Sequence, residues 1–314
     1  GTKEYPYVIC NVKQWFTVMG ENQKNQYNGN QSSGVSKYIR LGADIDLSGE
    51  SWESRTLTAG LDGNGYELSG ISQPLFNVLA GTVKNLILSN VTITGDGKHV
   101  GAIARTVGAD SQIENCYISG SLATTGNCAA GGLIGQVQSG TLEIQNCIVN
   151  AEIENKDNNR ESLAGGLVGS VKVKNGTQLN IMNCIAMGSV STNSGRGAGG
   201  LVGGQGKTVT INKSAALQEE VSTKKSKYFV DRIFGYDNDK AYVNDGQNFA
   251  YQDMRVKCGE ILLDKDNDKN YKDWPKSHRG ERVSKTDLLT TDFWKNTIGW
   301  GSDTENWKFY DKQL

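Results

Sequence analysis

The sequence predicts an all-β chain wound as a right-handed parallel β-helix, a β-solenoid with a short helical cap at its N-terminal end and an irregular cap at its C-terminal end. Three observations predict it. The phrase Gly131-Gly132-Leu133-Ile134-Gly135 returns as Gly165-Gly166-Leu167-Val168-Gly169 and as Gly199-Gly200-Leu201-Val202-Gly203, 34 residues further on each time. A second phrase travels with it: Leu88-Ser89-Asn90-Val91, Ile113-Glu114-Asn115-Cys116, Ile144-Gln145-Asn146-Cys147 and Ile181-Met182-Asn183-Cys184. Between these anchors apolar and polar residues alternate, as in Leu142-Glu143-Ile144, which is the period of a strand with one face inward. A propeller blade takes about 40 or more residues and a solenoid turn about 20 to 35, so a repeat near thirty selects the solenoid.

Each element follows from its residues. Val12, Trp15, Phe16 and Met19 stand at helical spacing and predict a short amphipathic helix over the first coil, with residues 1–34 as cap and polar loop. Residues 35–222 form the coils. Equivalent residues of successive turns stack about 4.8 Å apart, so each inward slot becomes a column of similar side chains. The slot after the asparagine holds Val91, Cys116, Cys147, Cys184 and Ser214, and its stacked thiols read as free, buried hydrophobes. Asn90, Asn115, Asn146 and Asn183 stack at a corner, where asparagine tolerates the left-handed conformation and its amide bonds to the copies above and below. Segments 122–130, 154–163 and 191–198 are polar and rich in Asn, Ser and Gly, and are expected to loop out on one side. After about residue 222 the repeat fades, so 223–314 is expected to supply the last irregular coils and a cap continuous with the solenoid. Within it Thr286-Asp287-Leu288-Leu289 reads as a helix start, with Phe293-Trp294 as an apolar anchor.

Composition and motifs exclude several functions. With 39 glycines but only 3 prolines and no triplet period, the chain is not collagen-like. With 33 basic and 34 acidic residues the net charge is -1, so no global field attracts nucleic acid. No run of about 18 apolar residues is present to span a bilayer, and none of the six cysteines forms a C-x-x-C pair. The two histidines, His99 and His278, have no H-E-x-x-H context, no G-x-S-x-G elbow occurs, and His99 reads as an exposed loop residue. Carboxylates do not recur in one outward slot: Glu114 and Glu143 are near neighbours in a mixed row, and Asp44, Asp46 and Asp62-Gly63-Asn64 suit turns. Asp264, Asp266 and Asp268 form the one candidate calcium loop. Lys269 replaces its required glycine and Pro275 its terminal glutamate, so no cofactor is expected, with calcium at this loop as the alternative.

The repeated Gly-Gly-Leu-Ile/Val-Gly phrase resembles the GLUG motif of bacterial surface proteins, including non-catalytic regions of some immunoglobulin A peptidases. The segment Tyr38 to Ser48, Leu61-Asp62-Gly63-Asn64-Gly65 and Leu75-Phe76 resemble the opening coils of such proteins, and Thr290 to Trp294 with Trp300 to Trp307 their closing segment. The resemblance implies a right-handed β-helix exported to the bacterial surface, its signal lying outside these residues, and carries no agreed activity. The expectation is therefore a monomeric, extracellular ligand-binding or adhesion module that is not an enzyme, meeting glycan or a host surface protein without nucleic acid or a transmembrane segment. Tyr117, Tyr242, Trp274 and Trp300 are the candidate sugar-stacking aromatics. A polysaccharide lyase or hydrolase on the same scaffold, and a purely structural spacer, are the alternatives.

Overall fold

The structure is a computed structural model. It describes residues 1–19, 35–158, 162–193, 197–206, 208–224, 229–236, 242–244 (backbone), 247–263 and 279–302. The described strands form four sheets of nine, seven, twelve and four strands, in which a strand's neighbours are largely its counterparts one repeat earlier and one repeat later. Among the described strands pairing is parallel except between Arg255–Cys258 and Ile261–Leu262, which run antiparallel. Register follows the repeat. Leu61 pairs with Val83, Val83 with Ile113, Ile113 with Ile144, Ile144 with Ile181 and Ile181 with Ile211. All six are buried, and burying one such side chain stabilises by about 1.5–3 kcal/mol. The predominantly β architecture with parallel sheets is thus present, and its core is a bundle of columns running along the stack.

The Gly-Gly-Leu phrase makes a corner between two of these sheets. Strand Leu163–Gly165 ends, Gly166 and Leu167 turn, and strand Val168–Val171 begins. A Cβ on Gly165 would run into the Val168 carbonyl oxygen, so the corner closes only around a residue without a side chain. Leu133, Leu167 and Leu201 occupy the turn and are fully buried.

The asparagine column differs from expectation at its first member. Asn115, Asn146 and Asn183 have φ of 52°, 54° and 55°, and Asn183 Nδ2 donates to Asn146 Oδ1 at 3.1 Å. Below them stands Asn85, not Asn90: Asn115 Nδ2 donates to Asn85 Oδ1 at 3.1 Å, and Asn85 Nδ2 donates to Asp62 Oδ1 at 3.0 Å. Asn90 is exposed, with φ of 50°, at a break in register where Leu88 pairs with Ile118 but Val91 pairs with Gly120. It is the extra residue of a bulge. Val83-Lys84-Asn85-Leu86 carries the same phrase as the later copies, and strand register decides between the two. The following slot accordingly begins with Leu86 rather than Val91, since Ile87 pairs with Tyr117. Above Leu86 are Cys116, Cys147 and Cys184, buried free thiols. Burial pushes the Cys116 and Cys147 thiols well above the ordinary value.

The polar segments also differ from expectation. Strands Tyr117–Thr125, Ile148–Asn155 and Ile185–Thr192 run into what reads as loop. The reason is a polar inward column: Thr124, Asn155, Thr192 and Thr223 are buried. Thr124 Oγ1 donates to the Lys98 carbonyl at 2.6 Å and Asn155 Nδ2 to the Cys128 carbonyl at 2.7 Å. These side chains satisfy backbone acceptors where the chain leaves the sheet.

Helical segments pack at the start of the stack and beside its later strands. Helix Val12–Met19 buries Trp15 and Met19, and Trp15 meets the Trp52 ring edge-on with centroids 6.2 Å apart. Past residue 223 stacking continues: Val230, Phe234 and Phe249 pair with Ala198, Val202 and Ala215. Ser284 then caps helix Lys285–Leu288 in a reciprocal box with Asp287. Phe293, Trp294, Ile298 and Trp300 form an apolar cluster with Ile185, Ala215 and Phe249 on the outer side of the twelve-stranded sheet. Among the described residues no helix is long and apolar enough to cross a membrane.

Candidate functional site

The longest strands all belong to the twelve-stranded sheet, and they bend at one level. Val91, Gly120, Ala151 and Gly188 stand in register there. Gly188 has φ of 87°, and a Cβ on it would run into the Ala151 carbonyl oxygen. The bend folds the outward face into a groove. On one side are Asn150, Met187 and Leu217; on the other the column Thr92, Ser121, Glu152, Ser189, Glu220 and Arg255. One stretch of about 640 Å³ runs to Arg255 and a second of about 500 Å³ runs back to Asn90 and Thr92. Asn150, Glu152 and Gly188 line both, so the two join. Six stacked positions at about 4.8 Å per step give a groove about 24 Å long.

Its lining is rich in hydrogen-bonding groups. Hydroxyls of Thr92, Ser121 and Ser189 both donate and accept, as does the Asn150 amide. Charge is concentrated at one end, where Glu220 is held by Lys257 Nζ at 2.7 Å and Arg255 Nε at 3.3 Å. Glu152, two steps away in the same column, is exposed. Met187 and Leu217 add an apolar strip that is half-buried.

The residues singled out from sequence fall differently. Tyr117 is half-buried in the outward column Ile87, Tyr117, Ile148, Ile185, beside the groove rather than in its lining. Trp300 is not an exposed platform. It is 2% exposed, its Nε1 donates to the Lys213 carbonyl at 2.9 Å, and its ring lies 5.0 Å from that of Trp294, because the cap needs an apolar side chain to cover the sheet. Tyr242 lies in strand Tyr242–Asn244, its side chain outside the described residues; Trp274 and the candidate calcium ligands Asp264, Asp266 and Asp268 lie outside them altogether. Glu114 and Glu143 belong to separate columns, Glu114 beside Lys84 and Gln145, Glu143 beside Gln112 and Asn180. His99 is not an exposed loop residue either. Its Nδ1 accepts the Ala129 N–H at 3.0 Å, and burial, with the Lys172 charge adding to it, lowers its pKa from 6.5 to about 4.

Glu152, Ser189, Glu220 and Arg255 were not legible as a set. The available signal was glycine inside a strand: Gly120 and Gly188 stand four residues after Cys116 and Cys184, and Ala151 four after Cys147.

Comparison with known proteins gives the relatives of this fold. Residues 53–120 match the family model described as the M26 IgA1-specific metallo-endopeptidase N-terminal region. A crystal structure of a Bacteroides ovatus protein, put forward as an immunoglobulin A1 protease, superposes with a TM-score of 0.75 at 23% identity, covering 99% of this chain and 94% of that one. A second solved structure, named IgA1 protease, superposes with a TM-score of 0.60 at 19% identity, covering 88% of this chain but 21% of that one. A search of curated protein sequences found no match.

These names overturn the expectation that the chain stands apart from enzymes: the matched family and both solved relatives carry protease names. The residues described do not themselves fit the metal that a metallo-endopeptidase uses. His99 has its Nδ1 occupied by the Ala129 N–H, His278 lies outside the described residues, and no group of three or more His, Cys, Asp or Glu converges among those described.

Proposed function

We propose that this chain is a right-handed parallel β-helix that works outside the cell as the ligand-gripping region of an IgA1-protease-like surface protein. The groove on the twelve-stranded sheet carries the reading. It is opened at the same level of successive coils by Gly120, Ala151 and Gly188, and it is lined by hydrogen-bonding side chains over about 24 Å. That length accommodates an extended segment of about seven amino acids, or a glycan chain of the same reach. The right-handed sense follows from the handedness that parallel crossovers adopt in nearly all known cases. Residues 1–34 and 223–314 close the ends of coils 35–222, and the Gly-Gly-Leu phrase is the GLUG corner of each coil. The protein acts as a monomer, and its partner is a host-surface glycan or protein.

Because its solved relatives carry the name, immunoglobulin A1 is the first partner to test, together with a broad glycan array. Saturable binding to either, retained after chelation of divalent ions, supports the reading. Absence of binding to both surfaces refutes it.

A further inference from the structure

A separate cavity of about 500 Å³ lies on the nine-stranded sheet near its first strands. Two outward columns line it. In the first, Tyr38 stands beside Gly60; in the second, Arg40, Asp62, Lys84 and Glu114 follow one another with alternating charge. Gly60 makes room for the tyrosine, since a Cβ there would come within 2.9 Å of the Tyr38 ring. The ring therefore rests against the sheet and gives the cavity an aromatic wall.

Asp62 is fixed from behind. Its Oδ1 accepts from the Asn64 N–H at 2.9 Å and from Asn85 Nδ2 at 3.0 Å. Its Oδ2 lies 3.7 Å from Arg40 Nε and 3.8 Å from Lys84 Nζ. Both separations exceed hydrogen-bond length. The two cations are drawn to the carboxylate without saturating it, so Oδ2 remains an acceptor and the cations remain donors.

An anion here would meet Asp62 and Glu114, and a bare cation would meet Lys3, Arg40 and Lys84. A neutral molecule with neighbouring hydroxyls, each of which both donates and accepts, satisfies both signs at once. The C–H face of a saturated ring suits the tyrosine. We propose that this cavity is a binding subsite for a neutral pyranose sugar, with Tyr38 as its platform and Asp62, Arg40 and Lys84 holding adjacent hydroxyls. The subsite lies on a different sheet from the groove and does not depend on it.

Saturation-transfer NMR of the whole chain with methyl glucoside, methyl galactoside and methyl mannoside tests this. Transfer to the ring protons of at least one glycoside is expected, weakened about tenfold or more by Asp62→Asn and by Tyr38→Ala. Asp62→Asn keeps the Oδ1 acceptor and hence the turn. Gly60→Ala, which displaces the ring without removing a polar group, is the second variant and is expected to weaken transfer likewise. No transfer from any of the three glycosides, or transfer that persists in both Asp62→Asn and Tyr38→Ala, overturns the proposal.

Discussion

His99 gives this fold a pH dependence of calculable size. Its imidazole is held at the corner where Ala129, one repeat on, donates its N–H to Nδ1 at 3.0 Å, and burial together with Lys172 lowers the pKa from 6.5 to about 4. A proton on Nδ1 removes the acceptor that Ala129 uses. Because the folded pKa lies below the unfolded one, the unfolded chain takes up the proton first, and stability falls as pH drops from 6.5 towards 4. Over the full window of about 2.5 pH units the loss is about 3 kcal/mol, and between pH 7 and pH 5 it is about 2 kcal/mol. The assay is urea denaturation of the wild type and of His99→Gln at a series of pH values from 7 to 4. Carboxylates titrate in both proteins and cancel in the difference. The difference is expected to shrink by about 2 kcal/mol between pH 7 and pH 5. Parallel curves for the two proteins would refute the assignment of His99 as a buried neutral acceptor.

The other predictions concern the columns. Cys116, Cys147 and Cys184 should resist a thiol reagent in the folded protein while exposed Cys10 reacts, and rapid labelling of all four would contradict a sealed column. Asn146→Ala should destabilise by about 1–2 kcal/mol in chemical denaturation, through loss of the bond to Asn183 and a φ of 54° that alanine tolerates poorly. Asn146→Gly relieves the second cost and should lose less; equal losses would show that the backbone conformation is not what asparagine supplies. Gly188→Ala should cost roughly 2–4 kcal/mol in thermal unfolding, because φ is 87° and the new methyl meets the Ala151 carbonyl, and a neutral outcome would mean that the bend relaxes without it.

The parallel stack was legible because its information is local and repeated. Alternation in Leu142-Glu143-Ile144 gives the strand, and the return of Gly-Gly-Leu gives the corner. What failed were places where one residue serves a neighbouring repeat. Asn90 carries the right phrase, but a bulge residue shifts the register, and only the pairing of Ile87 with Tyr117 shows that Asn85 is the stacked one. Thr124, Asn155 and Thr192 read as loop because they are polar, whereas they sit inside and bond to carbonyls of the departing chain. The groove was hidden for a different reason. Its lining residues are scattered 31 to 37 positions apart, from Ser121 through Glu152 and Ser189 to Glu220, and their types differ, so no motif marks them. Trp300 shows the limit of residue type as a guide to exposure: a tryptophan near the end of a chain is as apt to close a cap as to face a ligand.

The most direct test of the account is to plug the groove. Ser189 lies between Glu152 and Glu220 in one wall, and Ser189→Trp places an indole where an extended ligand has to pass. Binding isotherms of the wild type and of this variant should be measured side by side on the glycan-array or protein surface that gives the wild type its highest signal, with melting curves alongside. The account predicts a loss of about tenfold or more in affinity with an unchanged melting temperature. Superimposable isotherms for the two proteins would place the ligand elsewhere and contradict it.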